Sequence, residues 1–313
     1  VGIRTVVKPG YDASVLRLDN GKFLSIKIDG NPKQCYINPR EGAIGCFEEA
    51  CRNVVCTGAK PIGMLDHLQF GNPKDPEIFW TFLESLKGLT DFAKDFEIPC
   101  IGGKVSLYNE TPKGSIKPTP VIGVIGLIDK KPLRIQKINS GDCLIMIGNT
   151  KDELGGSEYS EYIHKFIGGK CPAVDFSESK KNMNAVLELV ENELIKSAHD
   201  CSKGGLAVAV SELCMTNLVG CTVPLDDVPG DNLASDEILF SESHSRYLVT
   251  FEKKNIQNLE ELLKKHNVSF KTIGEFGGES IQFTTDSKPV IDLSVDKAQK
   301  TWLNSLKEMV MHA

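Results

Sequence analysis

The sequence predicts an α+β protein made of two domains. Its 313 residues suit two domains of roughly 150 residues each. Strand-like alternation and helical periodicity are mixed along the whole chain, which is typical of this class. The polar stretch 129–132, which contains a proline, separates two such sets of elements. We therefore predict an N-terminal domain over residues 1–131 and a C-terminal domain over residues 132–313.

The composition limits the classes of protein that fit. Apolar residues make up 41% and charged residues 25% of the chain, which supports a large folded core and argues against disorder. The longest apolar run, near residues 121–128, is interrupted by glycines and is far shorter than the roughly 20 residues of a membrane-spanning helix. A net charge of −6 argues against duplex nucleic acid as the main partner. A phosphate-bearing small molecule remains compatible, because backbone N–H groups can hold phosphate.

The beginning of the chain and its cysteines indicate the cellular context. The sequence starts at Val1 and shows no charged segment followed by an apolar stretch, so no secretory signal is predicted. We expect a processed end or a cut inside a longer chain. The ten cysteines lack zinc-ligand spacing, and we expect buried, reduced thiols of a cytoplasmic protein.

The first domain is predicted to follow the order β-β-α-β-α-β-β. Alternating residues predict strands at 14–18 and 23–28, and Asn20-Gly21 between them favours a hairpin turn. Apolar residues at helical spacing predict amphipathic helices. The remaining elements of this domain are a helix at 41–56, a strand at 62–70, a helix at 76–96, and strands at 99–107 and 120–128.

The second domain is predicted to mix short strands with amphipathic helices. Cys143–Ile147 is continuously apolar, as in a buried strand. A loop at Gly155-Gly156 is predicted to enter a helix that ends near residue 166. The other predicted elements are helices at 183–194, 206–214, 256–263 and 295–310, and strands at 246–251, 269–273 and 280–284.

Known catalytic motifs are missing, and glycine pairs are the remaining signals. The sequence has no GxxxxGK[ST], GxSxG or HExxH pattern. Gly102-Gly103 follows a predicted strand, and Lys104 and Ser106 add a cation and a hydroxyl, so the segment suits a phosphate or only a tight turn. Gly204-Gly205, with Ser202 as a predicted N-cap, suits either an anion-attracting helix start or a plain connection.

Asp66 is a further candidate, since a carboxylate at the end of a buried strand is costly unless it is used. A ribose hydroxyl, a metal ion or a turn N–H would each satisfy it. Asp12 and Asp29 also lie at strand boundaries, where a simple turn cap explains either one.

Several motifs then match one family in order along nearly the whole chain. The chain resembles the C-terminal half of the formylglycinamidine ribonucleotide synthases (phosphoribosylformylglycinamidine synthase, large or II subunit), in the aminoimidazole ribonucleotide synthetase-like superfamily. The matching segments are 12–17, 29–32, 49–53, 58–61, 66–73, 102–110, 118–126, 154–159, 199–206 and 239–243.

The resemblance implies a fold and a set of site residues. The full chain of the family is a pseudo-dimer of two related halves, whose N-terminal sheets pair into a barrel. The missing N-terminal half would carry the catalytic histidines, so this half is expected to supply no catalytic residue. By resemblance, Asp66 and Gly103 contact ATP and Ser106 contacts the substrate. We expect the segment around Gly103 to be a loop that faces the triphosphate across a seam with the sister half.

This sequence departs from the family at two site positions. Lys104 stands where the family commonly has a magnesium-binding asparagine, and an ammonium cannot ligate a metal. We hypothesise that Lys104 pairs directly with the phosphates and replaces the charge of one metal ion. Gln69 stands where the family usually has asparagine, and its amide is retained.

The resemblance also implies an activity and its partners. The reaction is an ATP-dependent C–N ligation in purine biosynthesis, with Mg²⁺ as cofactor. Formylglycinamide ribonucleotide is activated by phosphorylation of its amide oxygen, and ammonia then displaces phosphate to give formylglycinamidine ribonucleotide. The implied partners are the N-terminal half, a glutaminase subunit that supplies the ammonia and a small accessory subunit. Neither nucleic acid nor membrane is expected to take part.

Three alternatives remain. A self-sufficient homodimeric relative, such as a selenophosphate, thiamine-phosphate or aminoimidazole ribonucleotide enzyme, would share the fold, although the Gly-Asn-Pro and Ser-Leu-Tyr-Asn-Glu segments argue against it. A non-catalytic scaffold half would bind only a structural nucleotide. An unrelated α/β binding protein is the third alternative.

Overall fold

Two helix-covered sheets organise the molecule. The structure, a computed structural model, describes residues 2–133 and 137–311. The N-terminal elements are β1 (Thr5–Val7), β2 (Ser14–Arg17), β3 (Phe23–Asp29), α1 (Pro32–Ile37), α2 (Pro39–Val55), β4 (Lys60–Gln69), α3 (Pro76–Asp95), β5 (Cys100–Ser106), β6 (Glu110–Thr111), β7 (Gly114–Ser115) and β8 (Thr119–Ile128). The C-terminal elements are β9 (Asp142–Ile147), α4 (Glu158–His164), α5 (Phe176–Glu191), β10 (Ser197–Asp200), α6 (Gly205–Asn217), β11 (Cys221–Pro224), α7 (Ser235–Phe240), β12 (Tyr247–Glu252), α8 (Ile256–Lys265), β13 (Phe270–Phe276), β14 (Ser280–Thr285), β15 (Lys288–Ser294) and α9 (Val295–Met311).

The strand order leaves β5 at one edge of the first sheet. That sheet has the order β1-β2-β3-β8-β4-β5, and the second has the order β10-β12-β9-β13-β11-β14-β15. In the first sheet β4 and β5 run parallel, while β8 runs antiparallel to β4. The carboxyl ends of β4 and β5 therefore meet at the same end of the sheet edge.

Side-chain caps fix where the long helices of the first domain begin. Asn38 caps α2 by accepting hydrogen bonds from the N–H groups of Arg40 and Glu41. Asp75 caps α3 in the same way, and Pro76 occupies the first turn, where it sacrifices no helical hydrogen bond.

One apolar core runs between the two sheets. It includes Phe47 of α2, Phe92 of α3 and Leu189 of α5, all fully buried, together with residues of β9 and β12. A second core lies entirely within the C-terminal domain, between its sheet and helices α6 and α9. Because α2 is covered by the first sheet on one side and by the second domain on the other, nearly all of its residues are buried.

The two faces of the first sheet have different surroundings. The inner face carries Met64, Leu68 and Ile122, which are buried against the helices. The outer face carries Ile28, Leu65 and Gly123. A Cβ placed on Gly123 would lie 3.1 Å from Leu65 and 3.8 Å from Ile28, so these three residues share that face.

Most predicted elements are confirmed, and the differences have local causes. The Asn20-Gly21 hairpin joins β2 and β3 as predicted. Helix α5 begins at Phe176 rather than at residue 183, because Asp175 caps a first turn that has no apolar periodicity. Helices α1 and α7 and the short or exposed strands β1, β6, β7, β10, β11 and β15 were not predicted.

Two further expectations concern thiols and membranes. All ten cysteines are free; Cys100 is exposed and Cys171 is half-buried, while the others are buried. Within the described ranges, none of the helices combines the length and the apolar character needed to cross a bilayer. Val1 and residues 134–136 and 312–313 lie outside the described ranges.

Candidate functional site

The predicted site residues lie together on β4 and β5 at the sheet edge. The parallel register pairs Asp66 with Gly103, His67 with Lys104, and Gln69 with Ser106. Strand β5 has no neighbour on its outer side, and its residues from Cys100 to Val105 are exposed. The expectation that Gly103 and Lys104 lie in a loop is wrong, because they are inside a strand.

Gly103 leaves room for the carboxylate of Asp66. A Cβ at position 103 would lie 2.0 Å from Asp66 Oδ1 and 3.1 Å from its backbone oxygen. Burial raises the pKa of Asp66 above its ordinary value, and the backbone N–H of Lys104 works in the opposite direction. A side chain at position 103 would therefore have to displace the Asp66 carboxylate, which points along the inner face.

Lys104 and Ser106 project from the opposite face. Successive residues of a strand alternate between faces, so the side chains of Lys104 and Ser106 share the outer face with Leu65 and His67. The structure therefore divides the four predicted site residues into two pairs. Asp66 and Gly103 lie on one side of the edge strand, and Lys104 and Ser106 lie on the other.

Asn109 holds Ser106 in place. Its Nδ2 donates hydrogen bonds to the backbone oxygens of Ser106, at 2.9 Å, and Phe70, at 3.0 Å. Ser106 Oγ lies 3.3 Å from Asn109 Oδ1. The hydroxyl is therefore fixed by a side chain that also joins the ends of β4 and β5.

The loops that follow β4 and β5 form a connected rim beside Ser106. The N–H of Tyr108 donates to Gly71 O at 2.9 Å, and the N–H of Asn72 donates to Glu110 Oε1 at 3.2 Å. Tyr108 adopts a left-handed backbone conformation with φ of 60°, which turns the chain sharply after the strand.

The rest of the outer face is apolar and uncovered. Ile28 is 65% exposed, Leu65 41% and Ile101 55%. A contiguous apolar face on a sheet with a free edge marks an interaction surface.

A second group of polar residues lies between the two domains. His199 Nδ1 is 2.9 Å from Asp12 Oδ1, and its Nε2 is 3.0 Å from Glu212 Oε2. Asp12, His199 and Asp200 are close enough together to hold a metal ion. Burial would lower the pKa of His199, but the Asp12 and Glu212 carboxylates raise it well above its ordinary value. The Asp12 and Glu212 carboxylates hold the His199 ring from both sides, so this group joins the two domains by polar contacts.

Helix α2 contributes buried charges to the same interface. Arg52 forms ion pairs with Glu48 and, at 3.3 Å, with Asp200. Asn53 Nδ2 donates to Asp200 Oδ2 at 3.1 Å. Burial, together with nearby carboxylates, raises the pKa of Glu49 well above its ordinary value. From the sequence, Asp12 was expected to be a turn cap, and residues 49–53 were predicted only as part of the family resemblance. One signal for this interface was present in the sequence. The helix carries four polar residues, at 48, 49, 52 and 53, among apolar neighbours.

The side chain of Glu242 lies at the helix start at Gly204-Gly205. Glu242 Oε1 accepts hydrogen bonds from the N–H groups of Gly204, at 2.9 Å, and Glu158, at 2.8 Å. The predicted N-cap at Ser202 is wrong, because Gly204 is the N-cap and no side chain caps α6 there. The Glu242 carboxylate thus occupies the start of α6, where the sequence suggested that an external anion could bind.

The fold and the edge site define a two-domain α+β protein whose first sheet is open on one face and at one edge. The chain belongs to the AIR synthase related protein family. The N-terminal domain model of that family matches residues 10–128, and the C-terminal domain model matches residues 139–286.

Curated relatives and solved structures agree with this assignment. The chain is 39% identical to the phosphoribosylformylglycinamidine synthase subunit PurL of Alkaliphilus metalliredigens, over 98% of this chain and 42% of the relative. It is 41% identical to PurL of Methanocaldococcus jannaschii, over 99% of this chain and 43% of the relative. The chain thus spans about two fifths of the length of these relatives. The resemblance predicted from the motifs is confirmed.

Solved structures show the same fold. Thermotoga maritima PurL complexed with FGAR matches with a TM-score of 0.80 at 22% identity, over 95% of this chain and 49% of that chain. A chain of a HypE–HypF complex matches with a TM-score of 0.69 at 16% identity, and there the match covers 93% of that chain. The predicted two-domain fold class is confirmed, while the barrel remains a prediction.

Proposed function

We propose that this chain is the C-terminal half of a formylglycinamidine ribonucleotide synthase, an ATP-dependent C–N ligase of cytoplasmic purine biosynthesis. The observation that carries this proposal is the identity of 39–41% to PurL subunits along nearly the entire chain. The substrates are formylglycinamide ribonucleotide, ATP and ammonia. The proposed domain boundary is at residues 131 and 132.

The division of the site over two faces gives each pair of residues a role. We assign Asp66 and Gly103 to the nucleoside end of ATP on the inner face, where a carboxylate can accept hydrogen bonds from hydroxyl groups. Lys104 and Ser106 then meet the phosphates and the substrate on the outer face. The T. maritima PurL structures solved with ATP, with ADP and with FGAR support a nucleotide and FGAR as ligands of this fold.

Magnesium does not fit the outer face of this chain by itself. Lys104 offers an ammonium, and Gln69 and Ser106 offer neutral groups, so no carboxylate among the described residues of that segment is available as a ligand. Any Mg²⁺ ion would be held by the phosphates and the sister half. Lys104 would supply positive charge to the phosphates directly.

The uncovered outer face and the free edge of β5 support the proposed partners. Docking of the related N-terminal half would cover Ile28 and Leu65 of the outer face. A glutaminase subunit and a small accessory subunit complete the proposed assembly. A solved structure of T. maritima PurLQS supports an assembly of several subunits.

A self-sufficient homodimer is the second candidate. The match to 93% of a chain in the HypE–HypF complex shows that this two-domain unit can form nearly a whole chain elsewhere. A scaffold half without turnover is the other alternative.

Phosphate release separates these proposals. We expect no release from this chain alone with ATP, ammonia and formylglycinamide ribonucleotide, and release once the sister half is added. Turnover by the chain alone would favour the homodimer. Turnover by the assembly that is unaffected by Ser106→Ala and Asp66→Ala would favour the scaffold.

A further inference from the structure

His67 is a polar outer-face residue of this edge to which the family resemblance assigns no role. It lies on β4 in direct register with Lys104 on β5 and with Val121 on β8. Adjacent strands place such neighbours about 5 Å apart. The imidazole and the ammonium therefore stand side by side on the outer face.

The surroundings of His67 leave its ring incompletely satisfied. Its Nε2 is buried and has no hydrogen-bond partner within residues 2–133 and 137–311. A buried polar atom without a partner calls for one from outside the described protein atoms. Lys104 likewise forms no ion pair in these ranges, and it is exposed.

The chemistry of the neighbouring side chains indicates what that partner is. The polar end of the outer face consists of His67, Gln69, Lys104, Ser106 and Thr119. This set can offer an ammonium, an imidazole N–H, an amide N–H and two hydroxyl groups, and it contains no carboxylate. Such a set recognises an anion rich in acceptor oxygens.

We propose that His67 contacts a phosphoryl oxygen of the bound nucleotide and works beside Lys104. This inference rests on the proposed function and extends it to a residue that lies in the matching segment 66–73 but has no assigned role. His67 donates a ring N–H to an oxygen of the terminal phosphoryl group, while Lys104 supplies the charge. Asp66, on the inner face, holds the nucleoside end.

Nucleotide binding to the assembled synthase tests this role. Dissociation constants for ATP, ADP and AMP are measured for the native protein, His67→Leu and His67→Gln. We expect His67→Leu to weaken ATP binding by about tenfold and ADP binding less, with AMP unchanged. His67→Gln keeps an N–H donor and should retain most of the affinity. Val121→Leu, at the neighbouring register position, is the matched control and should bind all three nucleotides normally.

Three outcomes would overturn the inference: unchanged ATP binding by His67→Leu, equal weakening for all three nucleotides, or no rescue by His67→Gln. Equal weakening would show a packing role. The proposed function is judged separately by turnover of the native assembly. The assembly could be inactive while His67→Leu still weakens the binding of ATP more than that of ADP and AMP. That result would contradict the proposed function and support the inference.

Discussion

Arg52 of α2 and Asp200 of β10 meet across the two domains, with 3.3 Å between Nη2 and Oδ2 and with both side chains almost fully buried. Arg52 also pairs with Glu48, so a single guanidinium neutralises carboxylates from both domains. The two domains are thus joined by charge as well as by their shared apolar core.

The buried ion pairs predict a large loss of stability when Arg52 is removed. Arg52→Met leaves Glu48 and Asp200 without their cation, and we expect the free energy of unfolding to fall by about 3–5 kcal/mol. Urea denaturation measures this change. Removing the carboxylates as well, in Arg52→Met/Glu48→Gln/Asp200→Asn, should restore part of it. A loss below about 1 kcal/mol in the single variant, the range of exposed ion pairs, would refute the prediction.

The contacts of His199 predict a pH dependence of stability. Its pKa is raised in the folded protein and is near 6.5 when unfolded, so its stabilising contribution is present below about pH 6.5. That contribution declines as pH rises through the folded pKa, because only the folded state keeps the proton. Urea denaturation from pH 6 upward should show this decline in the native protein and a flatter profile in His199→Gln. His164→Gln, at an exposed position, should leave the profile unchanged.

The contact between Gly103 and Asp66 predicts a steric defect. Gly103→Ala places a methyl group against the Asp66 carboxylate, and we expect the free energy of unfolding to fall by about 1–3 kcal/mol. Gly102→Ala is the matched control, since the nearest atom to its new Cβ is 4.0 Å away. Gly103→Ala/Asp66→Ala should recover stability but remain inactive. Recovery of activity in that double variant would argue against a role for Asp66 in ATP binding.

The position of Lys104 on the outer face predicts how its replacement by asparagine, the usual residue of the family, changes ATP affinity and magnesium dependence. Lys104→Asn removes the ammonium from the outer face, so ATP affinity should fall by about tenfold and the rate should depend more steeply on Mg²⁺ concentration. Steady-state kinetics of the assembly at several Mg²⁺ concentrations measure both effects. If ATP affinity and magnesium dependence are unchanged, Lys104 does not replace a metal charge.

The uncovered outer face predicts an assembly defect without a folding defect. Leu65→Asp puts a carboxylate at the proposed seam, and we expect co-purification with the sister half to be lost. Thermal unfolding of the chain alone should change little, because Leu65 is 41% exposed. Val290→Asp, at another exposed apolar position, should assemble normally. Normal assembly by Leu65→Asp would rule out this face as the interface.

The sequence motifs predicted a group of residues that lie together on β4 and β5, but they could not divide that group between two faces. The division depends on an irregularity in β5, where Met64 pairs with Cys100 but Leu65 pairs with Gly102. The extra residue, Ile101, shifts the register by one and brings Gly103 beside Asp66. No local pattern in the sequence marks that shift.

The contacts between the domains were beyond sequence reasoning for a different reason. Asp12 and His199 are 187 residues apart, and each suits a common local role at a strand boundary. By contrast, the hairpin at Asn20-Gly21 and helix α3 depend on neighbours in sequence, and they were predicted closely. Helices and strands could be predicted from local signals. The pairing of Asp12 with His199 depends on tertiary packing, which local signals do not show.

The bare edge of β5 has a consequence for how the protein matures. Both apolar cores are built from residues of this chain, so the proposed docking of the sister half would need little rearrangement of the backbone. Until that happens, an unpaired strand is available to any other strand in its vicinity, including that of a second molecule like itself. Paired glycines and a lysine make that strand a poor template for such pairing.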